Sequence, residues 1–293
     1  KLAAMAGIEL PVGPRKRYVY VLDCPAATEA LHKAPGVFVI PNPWDPGSAR
    51  VLAGLGFKAL TTTSAGYARS IGFPDYNAGR ENVMAHIRAM APMVDVPLAA
   101  DLEDGFGPRP EDCAETIRQG AEAGLVGGSI EDFTGDRSDP IHSIERAAER
   151  VRAAAEAARK LPFKFMLCAR AENYLHGKQD LGDTIRRMQA YQEAGADVLF
   201  APGLNTSDEV REVCRSIDRP FNIVRGPRKE TLTVAQVGEL GVKRISTGGM
   251  MHAVAMSAMI GAAKEMAGSG TFEFTKAMPF AGEIDALLTK GAG

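Results

Sequence analysis

The chain has 293 residues, 45% of them hydrophobic and 24% charged. This is the ordinary composition of a soluble globular protein, and no linker divides the chain, which predicts a single domain over residues 1–293. The 34 Lys and Arg against 36 Asp and Glu give a net charge of −2, so no basic face is expected and nucleic acid is excluded as a partner. No apolar run is long enough to span a bilayer and no signal segment opens the chain, which predicts a cytoplasmic protein without a membrane partner.

Eight short apolar runs recur along the chain after an N-terminal arm, residues 1–34, that ends in a short predicted helix at 26–33. Each run is apolar almost throughout, as is typical of a strand buried on both faces. The runs are residues 37–40, 59–63, 96–102, 126–130, 163–169, 197–201, 221–224 and 242–246.

Longer stretches with helical periodicity separate most of these runs. They are residues 80–94, 111–123, 144–160, 183–194, 207–217, 234–240 and 252–266. Several end at a glycine that precedes the next run, as in Gly124-Leu125 and Gly195-Ala196, and glycine readily takes the left-handed conformation that ends a helix.

Eight such units predict an α/β fold, a (β/α)₈ TIM-type barrel with parallel strands, over residues 35–268. A doubly wound open sheet is the alternative, but its usual glycine-rich first turn is missing after the first run. Residues 269–293 form a predicted C-terminal tail with a last helix at 282–288.

Acidic residues follow two neighbouring predicted strands, at the barrel end where active sites lie. Asp101 and Glu103 are two positions apart, so we expect their side chains to point the same way, with Asp104 directly after them. Glu131 and Asp132 follow the next strand. Converging carboxylates need positive charge, and a hard cation such as Mg²⁺ accepts oxygen ligands. The alternative is that these acids are solvated or pair with arginines.

Arg170 ends the fifth predicted strand, where a guanidinium suits bidentate binding of a carboxylate or phosphate. The alternative is a structural pairing of Arg170 with Glu131 or Glu172. After the second strand, Thr63 and Ser64 offer hydroxyl and backbone N–H groups for a substrate carboxylate.

Several motifs together resemble the isocitrate lyase/phosphoenolpyruvate mutase superfamily over roughly Pro35 to Gly268. They are Asn-Pro-Trp-Asp-Pro-Gly-Ser-Ala-Arg at 42–50, Thr-Thr-Ser-Ala-Gly at 62–66, Gly-Phe-Pro-Asp at 72–75, Ala-Asp-Leu-Glu-Asp-Gly-Phe-Gly at 100–107, Ile-Glu-Asp at 130–132 and Ala-Arg-Ala-Glu at 169–172. Each motif alone is weak, but the set in this order is specific.

The resemblance implies an α/β barrel that binds Mg²⁺ and a 2-oxo-acid or its enolate. It implies a metal site of Asp101, Glu103 and Asp75, with Glu131 holding metal-bound water. It also implies that Arg170 binds the anionic group of the substrate. The substrate-binding residues implied on the neighbouring strands are Trp44, Thr63, Ser64 and Ala65.

Two loops of the superfamily are missing here. Isocitrate and methylisocitrate lyases carry a Lys-x-Cys-Gly-His motif after strand 4, and this chain has Asp-Phe-Thr-Gly-Asp-Arg-Ser-Asp at 132–139. The Lys- and Asn-rich loop of the phosphonate mutases is also missing. The subfamily and the substrate therefore stay open at this point.

These observations predict an Mg²⁺-dependent carbon–carbon lyase that acts on a small 2-oxo-acid or carboxylate through an enolate-like intermediate. The alternatives are carbon–phosphorus chemistry and a non-catalytic barrel that binds a small acid. The four widely spaced cysteines are predicted to be reduced and not catalytic, so that metal-bound water, or a residue near the mouth such as Tyr67 or His176, supplies the proton. A homo-oligomer, dimer or tetramer, is expected, with the C-terminal tail open to exchange between subunits.

Overall fold

Eight parallel strands form the centre of the computed structural model, which describes residues 17–226, 228–278 and 281–292. The predicted N-terminal arm lies outside the described residues up to residue 16. The strands are β1 (Phe38–Ile40), β2 (Leu60–Thr61), β3 (Leu98–Asp101), β4 (Gly127–Glu131), β5 (Met166–Arg170), β6 (Val198–Phe200), β7 (Phe221–Val224) and β8 (Arg244–Ser246).

The sheet curls into a nearly closed barrel. Its strand order is β1-β8-β7-β6-β5-β4-β3-β2, so β1 and β2 are the two ends of the sheet. These ends meet, because the Thr61 amide donates to the Pro41 carbonyl at 3.1 Å and the Asn42 side chain donates to the Thr62 carbonyl at 2.7 Å. The predicted TIM-type barrel is confirmed, and the open-sheet alternative is wrong.

Helices surround the barrel. Within the described residues they are α1 (Arg17–Lys33), α2 (Pro46–Gly54), α3 (Ser64–Ser70), α4 (Gly79–Met90), α5 (Pro110–Glu122), α6 (Ile144–Arg159), α7 (Leu181–Ala194), α8 (Ser207–Arg215), α9 (Val234–Glu239), α10 (Met250–Gly268) and α11 (Ala281–Lys290). Two of them, α2 and α3, fall where no helix was predicted. The Asp45 side chain accepts from the Ser48 amide and caps α2, and Thr63 caps α3 in the same way.

The C-terminal tail returns to its own barrel. Helix α11 packs on α2 so closely that a side chain at Gly54 would collide with the Leu287 carbonyl. Helix α10, in contrast, is mostly exposed although it is rich in Met and Ala, and its Val254 is 63% exposed. No helix among the described residues is both long and apolar enough to cross a membrane.

Candidate active site

A cavity of about 220 Å³ opens at the carboxyl ends of the strands. Because parallel strands bring their carboxyl ends to one side of a barrel, residues distant in sequence meet here. The mouth of the cavity is lined by Ser64, Asp75, Tyr76, Asp101 and Arg170. The structure therefore brings Ser64, Asp75, Asp101 and Arg170, four of the predicted site residues, to one place.

Arg170 lies among three carboxylates and is itself only 12% exposed in its side chain. Its Nη1 lies 2.8 Å from Asp101 Oδ1 and its Nη2 lies 3.1 Å from Glu131 Oε2. Its Nε lies 2.9 Å from Glu172 Oε1. Every nitrogen of the guanidinium thus faces a carboxylate, which is the structural pairing with Glu131 and Glu172 that the sequence left open.

One guanidinium cannot neutralise this many acids. Burial raises the pKa of Glu131 well above its usual range, and burial likewise raises the pKa of Glu172 to about 7. Asp75 and Glu103 have no ion pair with any described Lys, Arg or His. Burial raises the pKa of both, to about 8 for Glu103, whose Oε1 is buried without a hydrogen-bond partner.

The side chains present fit a hard divalent cation that keeps water ligands. No three His, Cys, Asp or Glu side chains in the described ranges are arranged as a complete ligand set. Mg²⁺, however, is usually held by one or two carboxylates and several waters. Asp75 and Asp101 line the cavity, and the buried Glu103 Oε1 has no hydrogen-bond partner among the described residues, which leaves one more oxygen unused in this group of acids.

Glu103 does not continue the strand as expected. Strand β3 ends at Asp101, and Glu103 has a left-handed backbone with φ of 50°. The expectation that strand alternation points Glu103 the same way as Asp101 is therefore wrong. Its backbone still joins the site, because its amide donates to Asp101 Oδ1 at 3.3 Å and its carbonyl accepts from the Glu131 amide at 3.0 Å.

Asp104 and Asp132 were predicted in the same acidic cluster, but their side chains hold the scaffold. Asp132 accepts from the Tyr191 hydroxyl at 2.6 Å and from Arg187 at 3.0 Å, both on α7. Asp104 accepts from the Phe106 amide at 2.8 Å and so fixes the turn after β3. Neither is among the residues that line the cavity.

The segment after β2 meets the acids through one hydroxyl. Thr63, Ser64 and Ala65 line the cavity, and Ser64 Oγ donates to Asp101 Oδ2 at 2.9 Å. Ser64 is the first residue of α3 and not part of a loop. Trp44 lies beside this segment without being among the lining residues, and its ring meets the edge of His252 at 5.4 Å.

Two tyrosines differ in their access to the cavity. The Tyr67 hydroxyl donates to the Asn82 carbonyl at 2.9 Å, and its ring stacks on His86, so the structure does not bring Tyr67 to the cavity lining. Tyr76 lines the cavity and donates to Glu131 Oε1 at 2.6 Å. Sequence reasoning missed Tyr76, whose one signal is its place directly after the Gly-x-Pro-Asp turn.

An aromatic stack extends from Tyr76 away from the acids. The Phe133 ring lies 4.8 Å from Tyr76 and 4.5 Å from the parallel ring of His176. Burial lowers the pKa of His176, which favours the neutral imidazole. His176 therefore supports Tyr76 through Phe133 and does not contact the acids directly.

Cys168 lines the deeper part of the same cavity. Burial raises the pKa of its thiol, and it raises the pKa of Cys113 to about 11 and that of Cys214 to about 12. Such thiols stay protonated and unreactive at neutral pH. The absence of a catalytic cysteine stays a prediction that these environments favour.

Comparisons with known proteins agree with this fold. A solved structure of a candidate lyase/mutase from Burkholderia cenocepacia J2315 is 50% identical, with a TM-score of 0.88 over 91% of this chain and 96% of that one. A phosphonopyruvate hydrolase solved with oxalate and Mg²⁺ is 25% identical, with a TM-score of 0.79 over 90% and 94% of the two chains.

Two curated relatives cover most of the chain as well. An uncharacterized protein of Mycobacterium tuberculosis is 35% identical over 88% of this chain and 94% of its own length. The 2-methylisocitrate lyase of Aeropyrum pernix is 27% identical over 71% of this chain and 68% of its own. Residues 28–267 match the phosphoenolpyruvate phosphomutase family, so the chain belongs to that family and, with it, to the isocitrate lyase/phosphoenolpyruvate mutase superfamily of lyases and mutases.

Proposed function

We propose that this protein is an Mg²⁺-dependent lyase that cleaves a carbon–carbon bond of a small 2-oxo-acid. The observation that carries the proposal is the charge at the mouth of the cavity. Five carboxyl groups, of Asp75, Asp101, Glu103, Glu131 and Glu172, lie at this mouth or directly behind it. Arg170 forms ion pairs with three of them, and Arg69 acts on Asp75 only beyond ion-pair distance. A divalent cation at Asp75 and Asp101, with Glu103 behind them, would offset this excess.

When bound there, Mg²⁺ would supply Lewis-acid stabilisation of the negative charge that develops on the 2-oxo group. The protein itself positions the acids. Arg170 holds Asp101 in place from one side, and the Ser64 hydroxyl holds the second oxygen of Asp101 from the other. A ligand carboxylate would find the Ser64 hydroxyl and the polar atoms of Thr63 and Asn42 on the same wall.

Cleavage breaks the bond beta to the oxo group. Its electron pair moves onto carbon 3 to form an enolate. The other fragment leaves as carbon dioxide or, where it carries a hydroxyl group whose proton passes to a carboxylate of the site, as a carbonyl compound. The Tyr76 hydroxyl is the proton donor that we assign to carbon 3, with Glu131 holding it by the 2.6 Å hydrogen bond. Burial and the neighbouring Glu131 raise the pKa of Tyr76, so the phenol keeps its proton until a strong carbon base forms.

A panel of 2-oxo-acids tests the proposal directly. Pyruvate formation with Mg²⁺, abolished by EDTA and by Asp101→Ala, is the expected result. The matched control is Asp139→Ala, which removes an acid that is 83% exposed and lies outside the cavity. Turnover that survives both EDTA and Asp101→Ala would contradict the metal mechanism.

Tyr76→Phe separates the proton donor from the metal site. This variant keeps the ring that contacts Phe133 and removes only the hydroxyl. We expect kcat to fall by about 10²–10⁴, the usual contribution of a positioned acid, with little change in Mg²⁺ affinity. Tyr67→Phe is the control, since the Tyr67 hydroxyl contacts only a backbone carbonyl of α4 in the described contacts.

Carbon–phosphorus chemistry is the second candidate, because the phosphonopyruvate hydrolase relative shares the fold. Phosphate release from phosphonopyruvate, measured in the same panel, would identify it. Binding of a 2-oxo-acid without any turnover would identify the third alternative, a barrel that only binds.

We also infer a homo-oligomer from helix α10. Several of its apolar side chains are exposed, among them Val254 at 63% and Met259 at 55%. Exposed apolar surface of this extent on one helix is typical of a protein–protein interface. A cytoplasmic location stays a prediction.

A further inference from the structure

The cavity continues below its acidic mouth into the barrel, where a second arginine lies. Arg244 begins β8 and pairs in register with Asn222 of β7 and Phe38 of β1. Ser246 is two positions further along the same strand, so its side chain points the same way as that of Arg244. Arg244, Asn222 and Ser246 all line the cavity that Asp101 and Arg170 line at its mouth.

Arg244 differs from Arg170 in having no acid beside it. Arg244 is 8% exposed, and no Asp or Glu in the described parts of the chain lies within ion-pair distance of it. Its Nε donates to Asn222 Oδ1 at 2.8 Å, and Asn222 Nδ2 donates to Ser246 Oγ at 3.1 Å. A guanidinium stays charged at every physiological pH, and a buried charge without a counter-ion is unfavourable.

We infer that Arg244, Asn222 and Ser246 bind a second anionic group of the substrate, so the substrate is a 2-oxo-acid with a terminal carboxylate. The inference rests on the proposed function, because that function places the 2-oxo-acid end of the substrate at the mouth of the cavity. Arg170 has no nitrogen free of a carboxylate, whereas no Asp or Glu of the described ranges lies within ion-pair distance of the two Nη groups of Arg244.

The surroundings of Arg244 strengthen an ion pair between its guanidinium and a substrate carboxylate. Met166, Cys168, Val198 and Phe200 form a buried apolar cluster inside the barrel, and Cys168 lines the cavity beside Arg244. In this poorly hydrated interior a charge-assisted hydrogen bond is stronger than in water. The cavity volume of about 220 Å³ is below that of pockets for drug-sized ligands, roughly 300 Å³ and more, and limits the substrate to a small molecule.

Isothermal titration in the presence of Mg²⁺ tests the inference with defined probes. The ligands are oxaloacetate, 2-oxoglutarate and 2-oxoadipate, each against the analogue in which an isopropyl group replaces the terminal carboxylate. Oxalate is the probe for the mouth alone. When the diacid has the length that fits the cavity, we expect the wild type to bind it about 10- to 100-fold more tightly than its isopropyl analogue. This is the range of one charge-assisted hydrogen bond.

Arg244→Met should remove this preference while oxalate affinity stays within about twofold. Lys243→Met is the matched control, because it also removes a positive charge next to Arg244. The Lys243 side chain, however, contacts the backbone carbonyls of Ala34 and Gly36 outside the cavity. Ser246→Ala is a milder second variant, for which we expect a smaller loss of diacid affinity in a fully folded protein.

The outcomes separate this inference from the proposed function. Mg²⁺-dependent oxalate binding without any diacid preference in the wild type would overturn the anion site and leave the lyase proposal standing. A diacid preference that depends on Arg244 but not on Mg²⁺ would support the anion site and contradict the metal mechanism. An equal loss of oxalate and diacid affinity in Arg244→Met would mean that Arg244 is only structural.

Discussion

Glu103→Gln is the most informative single substitution behind the mouth of the cavity, because it removes a carboxyl group and keeps the side-chain shape. Glu103 is 3% exposed, and its Oε1 has no hydrogen-bond partner. Burial, followed by repulsion from Asp101 and Asp75, raises its pKa from 4.5 to about 8. The ionised carboxylate is therefore disfavoured in the folded protein.

The sign and size of the effect follow from this difference in pKa. A group whose pKa is higher in the folded than in the unfolded state contributes stability that is complete below pH 4.5 and lost as the pH rises to about 8. The interval is 8 − 4.5 = 3.5 pH units, and each unit corresponds to about 1.4 kcal/mol, which sums to about 5 kcal/mol. Relaxation of the protein around the carboxylate lowers this loss of unfolding free energy, so we expect a loss of about 2–5 kcal/mol.

Urea unfolding between pH 5 and pH 9 in EDTA measures this free energy. The wild type should lose stability as the pH rises, and Glu103→Gln should lose about 2–5 kcal/mol less. Glu156→Gln, at an exposed position of α6, is the control and should follow the wild type. Adding Mg²⁺ should restore stability to the wild type at high pH. Parallel profiles of wild type and Glu103→Gln would refute the reasoning.

Three further substitutions test other parts of the site and the surface. Arg170→Lys keeps the charge but loses the planar fork that reaches three carboxylates, so we expect a loss of about 2 kcal/mol in urea unfolding and a fall in kcat/KM. Cys168→Ser should leave kcat within about threefold, since a buried protonated thiol is unreactive, and loss of turnover in a folded variant would show that β5 supplies the proton. Val254→Glu on α10 should shift the oligomer toward smaller species in light scattering, and an unchanged mass would argue against an interface there.

The barrel could be predicted from the sequence because its strands are buried on both faces and are apolar throughout. All eight predicted runs overlap observed strands. Two strands are shorter than predicted, since the run at 96–102 is a strand only over Leu98–Asp101 and the run at 59–63 only over Leu60–Thr61. The helices α2 and α3 were missed for a different reason. They begin with Pro-Gly at 46–47 and Ser-Ala-Gly at 64–66, residue types that are typical of turns, and they are defined by the capping residues Asp45 and Thr63.

The residues at the mouth could be predicted in part, because strand ends meet at one face of a barrel. This rule correctly placed Asp101, Arg170 and Ser64 around one cavity. It failed for Glu103, which lies past the end of its strand in a left-handed conformation. Tyr76 also has a left-handed backbone, with φ of 66°, and no sequence pattern predicts such a conformation for a tyrosine.

The two buried arginines show why residue type alone does not assign a role. Arg170 and Arg244 both begin or end a strand of the same barrel and line the same cavity. Arg170 is surrounded by Asp101, Glu131 and Glu172, so its charge is used to hold acids in position. Arg244 faces Asn222, a neutral side chain that orients the guanidinium without cancelling its charge. In the proposed enzyme the 2-oxo-acid end of the substrate binds the metal, and its terminal carboxylate supplies the counter-charge that Arg244 lacks. A monoacid would leave Arg244 without this counter-charge, which is why we expect the diacid to be the better ligand.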